Sequence, residues 1–149
     1  MNAPGKVSGS FRDPSGFVFE NNGRLLRQIN KSYQNNYAHI MNSGLYEALV
    51  KAHLIIPHEE IPLEAALTDE AYKIIQPSRI PFISYPYEWS FSRLKQAALV
   101  TLKIQKKALE FGMTLKDASA YNIQFWEGKP VLIDTLSFEK YREGQLWPA

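Results

Sequence analysis

Residues 114–134 read TLKDASAYNIQFWEGKPVLID, and this stretch carries the strongest indication of the fold. Asp117 is followed five positions later by Asn122, and Asp134 comes twelve positions after that. Two short apolar runs, separated by a turn that contains glycine, lie between the asparagine and the second aspartate. A strand that ends on a carboxylate, with two polar residues at fixed distances upstream, raises the question of what chemistry they share.

The apolar runs predict a β-hairpin with strands at 122–126 and 131–134. The intervening Glu-Gly-Lys-Pro at 127–130 supplies the turn, because glycine between apolar runs is typical of a hairpin connection. Asp and Asn are also ordinary loop and cap residues, so the same pattern is compatible with a polar loop that has no chemistry.

The spacing of the polar residues resembles the catalytic loop of protein kinases. Phosphoryl transfer needs a carboxylate that orients the attacking hydroxyl and oxygen ligands that hold magnesium. In kinases a base aspartate and a metal-binding asparagine lie five residues apart, and a second metal-binding aspartate follows a short hairpin. The resemblance implies that Asp117 is the catalytic residue, that Asn122 and Asp134 hold the metal, and that Mg²⁺ and ATP are the cofactors.

The order of elements around this stretch favours an α+β fold. Asn-Gly between two apolar runs predicts strands at 16–20 and 24–29. Helical spacing follows over 34–54, interrupted by Ser-Gly at 43–44, and AYKII at 71–75 predicts another strand. This order resembles a kinase with a small antiparallel sheet lobe, a helix, the catalytic-loop hairpin and an incomplete large lobe.

Other parts of the kinase pattern differ here. Leu115 stands where kinases usually carry His or Tyr, Thr135 and Leu136 stand where they carry Phe-Gly, and no Gly-x-Gly-x-x-Gly loop is present. Arg27 is the best-placed cation for phosphate binding, and Glu47 could pair with it from the helix. Arginine is not a neutral replacement for lysine, since a planar fork and a point charge bind phosphates differently.

The aromatic stretch YPYEWSF follows RIPFISY at 79–85, which predicts an edge strand because proline interrupts its β-formers. Its four rings alternate with smaller residues, which would place them on one face of an extended connector: Tyr85, Tyr87, Trp89 and Phe91. Core packing between two lobes is the favoured interpretation. A wall for adenine is the alternative, with Glu88 as a polar contact to the nucleotide.

A long helix is predicted over 92–111, with Ser92 as its N-cap and Gly112 at its end. Apolar residues at helical spacing predict its buried face, and four lysines suit the opposite, solvated side. The predicted buried residues are Leu94, Ala97, Ala98, Leu102, Ile104 and Leu109.

Three stretches are similar to a family of bacterial S-adenosylmethionine-dependent methyltransferases of the nodulation-protein-like type. They are SGLYEALV at 43–50, IPFISYPYEWSFSRLKQAALVTLKIQ at 80–105 and GMTLKDASAYNIQFWEGKPVLIDTLSFE at 112–139. The similarity is to the N-terminal region of those polypeptides, which implies a downstream methyltransferase domain as the partner. It implies that S-adenosylmethionine binds there, since no glycine here lies in a Gly-x-Gly setting between a strand and a helix. The small-molecule substrate is left open.

Composition narrows the class of protein. The 149 residues include 45% hydrophobic side chains, which is enough for a packed core. A net charge of +2 does not indicate a nucleic-acid binder, and the absence of cysteine excludes disulfides and thiolate metal sites.

No secretory signal or membrane span is evident, so we expect a cytoplasmic protein that binds no membrane. Residues 1–15 suggest a flexible leader before a single kinase-like module over 16–149.

Three functions remain open on the sequence. The preferred one is a kinase-like N-terminal module of a larger methyltransferase-type protein, binding nucleotide or substrate. An active ATP- and Mg²⁺-dependent phosphotransferase and a non-catalytic protein-interaction domain are the alternatives. An incomplete large lobe would also expose apolar surface, so the sequence predicts weak solubility or self-association.

Overall fold

A computed structural model describes residues 5–6, 14–80, 84–116 and 120–141. The predicted catalytic Asp117 lies outside the described residues, as does the middle of the edge strand predicted at RIPFISY. Within the described part, no helix combines the length and the apolar character needed to cross a membrane.

The chain divides into two compact units. One comprises residues 1–37 and 57–78, and the other comprises 38–56 and 79–149. The first unit contains one antiparallel sheet, and the second contains the long helix and two short antiparallel ribbons.

The sheet of the first unit has five strands in the order β1-β2-β3-β5-β4. Its strands are β1 (Gly5–Lys6), β2 (Gly16–Asn21), β3 (Arg24–Asn30), β4 (His58–Ile61) and β5 (Ala71–Pro77). All four pairings are antiparallel. Strand β1 lies within the stretch that the sequence assigns to a flexible leader, and it pairs with β2.

The first hairpin confirms the strands predicted from Asn-Gly. Asn22 and Gly23 both have positive φ, 53° and 76°. Two consecutive residues with positive φ match the right-handed twist of the flanking strands, and Asn and Gly tolerate that conformation best. The turn therefore fixes the register in which Gly16 lies opposite Ile29.

The two prolines in IIPHEEIPLEAAL at 55–67 predict a loop with a short helical turn, and this prediction is wrong in part. Leu63–Ala65 do form a 3₁₀ turn, but His58–Ile61 form strand β4 against β5. Strand β5 also extends to Pro77, two residues beyond the strand predicted at 71–75. The two prolines do not prevent pairing, because they lie outside β4, at positions 57 and 62.

The core cluster of the first unit lies on one face of its sheet. The core cluster consists of Phe17, Phe19, Leu26 and Ile74. Partly buried apolar side chains pack against it, including Leu67 of the β4–β5 connection and Ala71 at the start of β5. Each fully buried side chain of this size contributes about 1.5–3 kcal/mol by removal from water. Burial of these side chains is therefore a main contribution to the stability of this unit.

The helical stretch at 34–54, for which the Ser-Gly interruption predicts either two short helices or one kinked helix, forms two short helices. Helix α1 spans Gln34–Asn42 and helix α2 spans Leu45–Lys51. Gly44 between them has φ 94°, a left-handed conformation that breaks the α-helical path. The Ser-Gly interruption in the sequence therefore marks two helices.

The long helix α3 spans Phe91–Glu110, close to the prediction, but its N-cap differs. Ser90, and not Ser92, precedes the helix, and its hydroxyl accepts the Arg93 N–H at 3.2 Å. Gly112 follows the helix with φ 75°, as predicted for a residue that ends it.

The predicted buried face of α3 is only partly correct. Ala97, Val100, Ile104 and Ala108 are buried, and α3 packs against α2 and on two short strands, Met113–Leu115 and Lys129–Leu132. Four of the predicted core residues face solvent: Leu94, Ala98, Leu102 and Leu109. The helix has apolar residues on two of its faces, and the prediction assigned burial mainly to the face with the larger leucine side chains. The structure buries the stripe of smaller and β-branched residues.

Two antiparallel ribbons complete the second unit. Strands β6 (Met113–Leu115) and β9 (Phe138–Lys140) form one, and β7 (Ile123–Trp126) and β8 (Lys129–Leu132) form the other. The β7–β8 hairpin confirms the prediction, although β8 begins and ends two residues earlier than expected. The sequence did not indicate β6 and β9, because three-residue strands are too short to show alternation.

The aromatic connector packs differently from the prediction. Trp89 is buried, whereas Tyr85, Tyr87 and Phe91 are exposed. Pro86–Glu88 form a 3₁₀ turn, so the chain is not extended there and period-two alternation does not apply. The Tyr85 and Tyr87 rings stack on each other with centroids 5.5 Å apart.

Candidate functional site

The open end of the β7–β8 hairpin holds two of the predicted site residues. Ile123 lies opposite Leu132, and the Ile133 N–H donates to the Asn122 carbonyl at 2.8 Å. This bond continues the ladder by one step beyond the strands. It brings Asn122 and the residue after Ile133, Asp134, to the same end of the hairpin although they are twelve positions apart in sequence.

The outer edge of β8 is held by the segment that follows α2. The Leu132 N–H donates to the Leu54 carbonyl at 2.9 Å, and the Ile56 N–H donates to the Leu132 carbonyl at 2.9 Å. Ile55 forms a parallel bridge to Leu132 between these two bonds. Strand β8 is therefore paired on both sides just before it reaches Asp134.

The other strand of the hairpin is fixed by a buried glutamine. The Gln124 amide accepts the Ser84 N–H at 3.0 Å and donates to the Ser84 carbonyl at 2.8 Å. Trp89 donates its Nε1–H to the Ser84 hydroxyl at 2.9 Å and meets the Phe125 ring edge to face at 5.0 Å. These contacts tie β7 to the connector in the same unit, so the hairpin is a rigid support for its open end.

Asp134 also has a structural task. Its Oδ1 accepts the Leu136 N–H at 2.9 Å and caps the 3₁₀ turn at Thr135–Ser137. The bond holds the carboxylate at the start of that turn, and the three turn residues are buried. A fixed carboxylate loses less side-chain entropy when it binds a ligand. The two residues that replace the kinase Phe-Gly are thus core residues of this turn.

The predicted phosphate-binding pair stays a prediction. Arg27 lies in β3, half-buried, between Val18 and Ile75 of the neighbouring strands. Glu47 lies in the first turn of α2 and is exposed. The two residues belong to different compact units.

Glu88 is exposed and already hydrogen-bonded to the connector. Its Oε1 accepts the Tyr85 N–H at 3.0 Å, while the Glu88 N–H donates to the Tyr85 carbonyl at 2.8 Å. This reciprocal pair stabilises the 3₁₀ turn. A role for Glu88 in nucleotide contact remains a prediction.

A polar cluster in the first unit joins His58 to Tyr37, Glu60 and Lys73. Tyr37 donates its hydroxyl proton to Glu60 at 2.7 Å, and His58 Nε2 lies 3.1 Å from the same oxygen. Since that hydroxyl has one proton, His58 must be the donor to Tyr37. Lys73 forms an ion pair with Glu60 at 3.5 Å.

The surroundings of His58 disfavour its charged form. Desolvation lowers the pKa of His58 to about 4, although the Glu60 carboxylate acts in the opposite direction. His58 is therefore a neutral donor at physiological pH. The only sequence signal for this cluster was that His58 and Glu60 are two apart, which places them on one face of a strand.

The donors at the open end suit magnesium only together with a phosphate ligand. Among the described residues, no group of three His, Cys, Asp or Glu side chains could hold a metal ion. Magnesium is commonly held by one or two carboxylates together with substrate phosphates and water. One carboxylate and one amide at the hairpin end fit that mode of binding.

The chain is similar in sequence to a longer nodulation protein. It is 40% identical over 146 residues, or 97% of its length, to nodulation protein NoeA of Rhizobium meliloti (strain 1021). The match spans 30% of that relative, so this chain represents less than a third of it. No family model matches the chain. The similarity supports the nodulation-protein-like part of the resemblance and leaves methyl transfer as a prediction.

The structure is similar to that of vaccinia related kinase 3, with a TM-score of 0.54 over 93% of this chain. The fold is kinase-like. Sequence identity is 14%, so the likeness concerns the fold alone, and it covers 48% of the kinase structure. The prediction of an α+β, kinase-like fold that is incomplete relative to a whole kinase is therefore confirmed.

Proposed function

We propose that this chain is a kinase-like N-terminal module of a larger methyltransferase-type polypeptide and that it binds a magnesium nucleotide. The single observation that carries the proposal is the Ile133-to-Asn122 backbone bond, which brings Asn122 and Asp134 to one end of a rigid hairpin. The kinase-like fold supports the assignment of that end to phosphate and metal.

In this proposal Asn122 and Asp134 supply two oxygen ligands to Mg²⁺, and the nucleotide phosphates and water supply the others. Hard oxygen ligands are what this ion prefers, and it dehydrates reluctantly, so it retains part of its water shell. The Asn122 amide is uncharged, so one protein carboxylate does little to bind Mg²⁺ without phosphate. Binding should therefore require metal and nucleotide together.

S-adenosylmethionine is assigned to the part of the polypeptide outside this chain. That cofactor class binds where a glycine-rich turn joins a strand to a helix, with the backbone close to the ligand. The described glycines with positive φ lie elsewhere: Gly23 and Gly128 in hairpin turns, Gly44 between helices and Gly112 after α3. The small-molecule methyl acceptor is left to that other part as well.

Isothermal titration with ATP, with and without Mg²⁺, tests the proposal. Asp134→Asn is the informative variant, because asparagine can still accept the Leu136 N–H and cap the turn while losing its charge. Glu127→Gln is the matched control, since Glu127 lies at the turn end of the same hairpin and is exposed.

We expect Mg²⁺-dependent ATP binding by the wild type and by Glu127→Gln. Asp134→Asn should weaken it about tenfold or more, the effect of ~1.4 kcal/mol of lost metal interaction. Equal binding by Asp134→Asn, or binding that does not require Mg²⁺, would contradict the assignment.

A non-catalytic interaction domain is the second candidate, favoured by the structural use of Asp134 as a cap. In that case the hairpin end is retained for folding. A folded sample that binds no ATP at millimolar concentration, with or without Mg²⁺, would support this candidate over the first.

A further inference from the structure

Helix α3 exposes an apolar stripe that has the sequence pattern of a buried face. Phe91 is followed at helical spacing by Leu94, Ala98, Leu102 and Leu109, and Leu99 lies beside them. The exposed fractions are 83% for Phe91, 41% for Leu94, 54% for Leu99, 55% for Leu102 and 43% for Leu109. Single exposed leucines are normal, but a continuous stripe on one helix marks an interaction surface.

The same helix is strongly basic, and its charges border the stripe. It contains five basic side chains and one acid: Arg93, Lys95, Lys103, Lys106, Lys107 and Glu110. Lys107 pairs with Glu110 at 3.4 Å, and Arg93 lies over the Phe125 ring at 4.8 Å. By helical spacing, Lys95, Lys103 and Lys106 each lie three or four positions from Leu99 or Leu102. The stripe is thus apolar in the centre and positive along one edge.

This charge pattern argues against a second copy of the chain as the occupant. Two α3 helices packed on their stripes would bring like charges together, which costs free energy at an interface. An amphipathic helix with an apolar stripe and acidic side chains along one edge would satisfy both features. Such a helix packs its ridges into the grooves of α3 at an interaxial distance of about 8–10 Å.

We propose that the α3 stripe binds an acidic-edged amphipathic helix from the part of the full-length polypeptide outside this chain. The NoeA similarity supports this source, because the matched segment makes up only 30% of that relative and leaves ample length for such a helix. The inference rests on that part of the proposed function which places this chain in a larger polypeptide. It does not depend on nucleotide binding.

The chemistry of the occupant is tested with two synthetic peptides titrated into the chain. Both are amphipathic helices with the same leucine stripe, one with glutamate along its edges and the other with lysine. We expect the glutamate peptide to bind at least about tenfold more tightly, and less so as salt rises, because charges at the rim are screened. Equal binding of the two peptides, or no binding of either, would overturn the assigned chemistry.

The source is tested with the portion of the Rhizobium meliloti NoeA polypeptide that lies outside the matched segment. It is titrated into the wild type and into two variants of α3, Leu102→Glu and Gln96→Glu. Both substitutions add one negative charge at an exposed position of the same helix, but Gln96 lies off the stripe. Binding should fall at least about tenfold with Leu102→Glu and less than about twofold with Gln96→Glu.

Binding that is absent, or unchanged by Leu102→Glu, would overturn the assignment of the occupant to the same polypeptide. Sedimentation is measured on the same samples, and dimers that Leu102→Glu abolishes would identify a second copy as the occupant instead. Titration of Leu102→Glu with Mg²⁺-ATP separates the two proposals. If Leu102→Glu keeps nucleotide binding and loses helix binding, the result concerns only the α3 surface. If it keeps helix binding and loses nucleotide binding, the result concerns only the nucleotide site.

Discussion

His58 is part of a hydrogen-bonded cluster in the first unit, and its surroundings favour the neutral form of its side chain. It donates to Tyr37, which in turn donates to Glu60, and Lys73 neutralises that carboxylate. Protonated His58 would add a charge in a partly buried position. The unfavourable transfer of that charge from water is why burial lowers the pKa of His58 to about 4.

The stability of the chain should therefore depend on pH through His58. Unfolded chains bind a proton at histidine near pH 6.5, whereas the folded chain binds it near pH 4. Between these values the unfolded state holds more protons, so the free energy of unfolding falls as pH falls. The contribution is complete well above pH 6.5, and on the order of 3 kcal/mol is lost by pH 4.

Urea unfolding at intervals from pH 7.5 to 4 measures this dependence. His58→Gln should flatten the curve in that window, because glutamine keeps an amide donor for Tyr37 and does not titrate. His53→Asn is the control, since His53 is exposed and has φ 58°, a conformation that asparagine tolerates. An unchanged slope in His58→Gln would show that another group is responsible.

Gln28 is a second residue with a measurable contribution. It is fully buried in β3, and its amide donates to Asn30 at 2.9 Å and to Thr68 at 2.8 Å. Its Oε1 accepts the Leu67 N–H at 3.0 Å. Replacing it with leucine removes all three bonds and leaves the buried Asn30 amide and the half-buried Leu67 N–H without these partners, and each such loss costs about 1–3 kcal/mol.

We expect Gln28→Leu to lower the free energy of unfolding by about 2–4 kcal/mol, measured by urea denaturation. Gln76→Leu in the adjacent strand β5 is the matched control. Gln76 accepts a bond from the exposed Arg24 at 3.4 Å, so the same substitution should cost less than about 0.5 kcal/mol. Similar losses in the two variants would contradict the account of Gln28.

Among the elements, α3 shows most clearly what sequence patterns can and cannot decide. Its length and its terminal glycine were predictable, because strong helix formers and a left-handed terminal residue act locally. Its buried face was not, since a helix with two apolar stripes leaves the choice to tertiary packing. Here β6, β8 and α2 pack on the stripe of Ala97, Val100, Ile104 and Ala108.

The N-cap of α3 gives a direct test at the level of one element. Ser90 accepts the Arg93 N–H, so Ser90→Ala should lower the free energy of unfolding by about 1 kcal/mol. Ser92 lies inside the first turn and is exposed, so Ser92→Ala should be neutral within about 0.5 kcal/mol. Thermal or urea unfolding of the pair decides between the two serines. A larger loss from Ser92→Ala would place the cap where the sequence alone put it.

The short strands show a different limit of sequence reasoning. The β7–β8 hairpin was predictable from two apolar runs around Glu-Gly, and both turn residues have positive φ, 53° and 81°. Strand β4 was hidden by flanking prolines, and β6 and β9 by their length of three residues. These strands form because they pair with strands that are distant in sequence, and a local sequence pattern does not show such pairing.

For the whole molecule, the kinase-like arrangement was predictable from the order of elements together with the Asp-Asn-Asp spacing. Part of the candidate site followed from the same reasoning, because a hairpin of known length brings Asn122 and Asp134 to one end. The cap between Asp134 and Leu136 and the anchoring of Gln124 to Ser84 were not predictable, since each depends on tertiary placement. The cluster around His58 joins Tyr37 to β4 and was likewise not predictable, because the sequence shows only the spacing of His58 and Glu60.

The measurement that tests the central claim most directly is paramagnetic broadening of amide NMR signals by Mn²⁺ with ATP. Manganese prefers the same oxygen ligands as magnesium and broadens signals from nearby nuclei. We predict that substoichiometric Mn²⁺ broadens the Asn122, Ile133 and Asp134 amides first, and only when ATP is present. Broadening that needs no ATP, or that centres on other acids such as Asp69 and Glu70, would contradict a nucleotide site at the hairpin end.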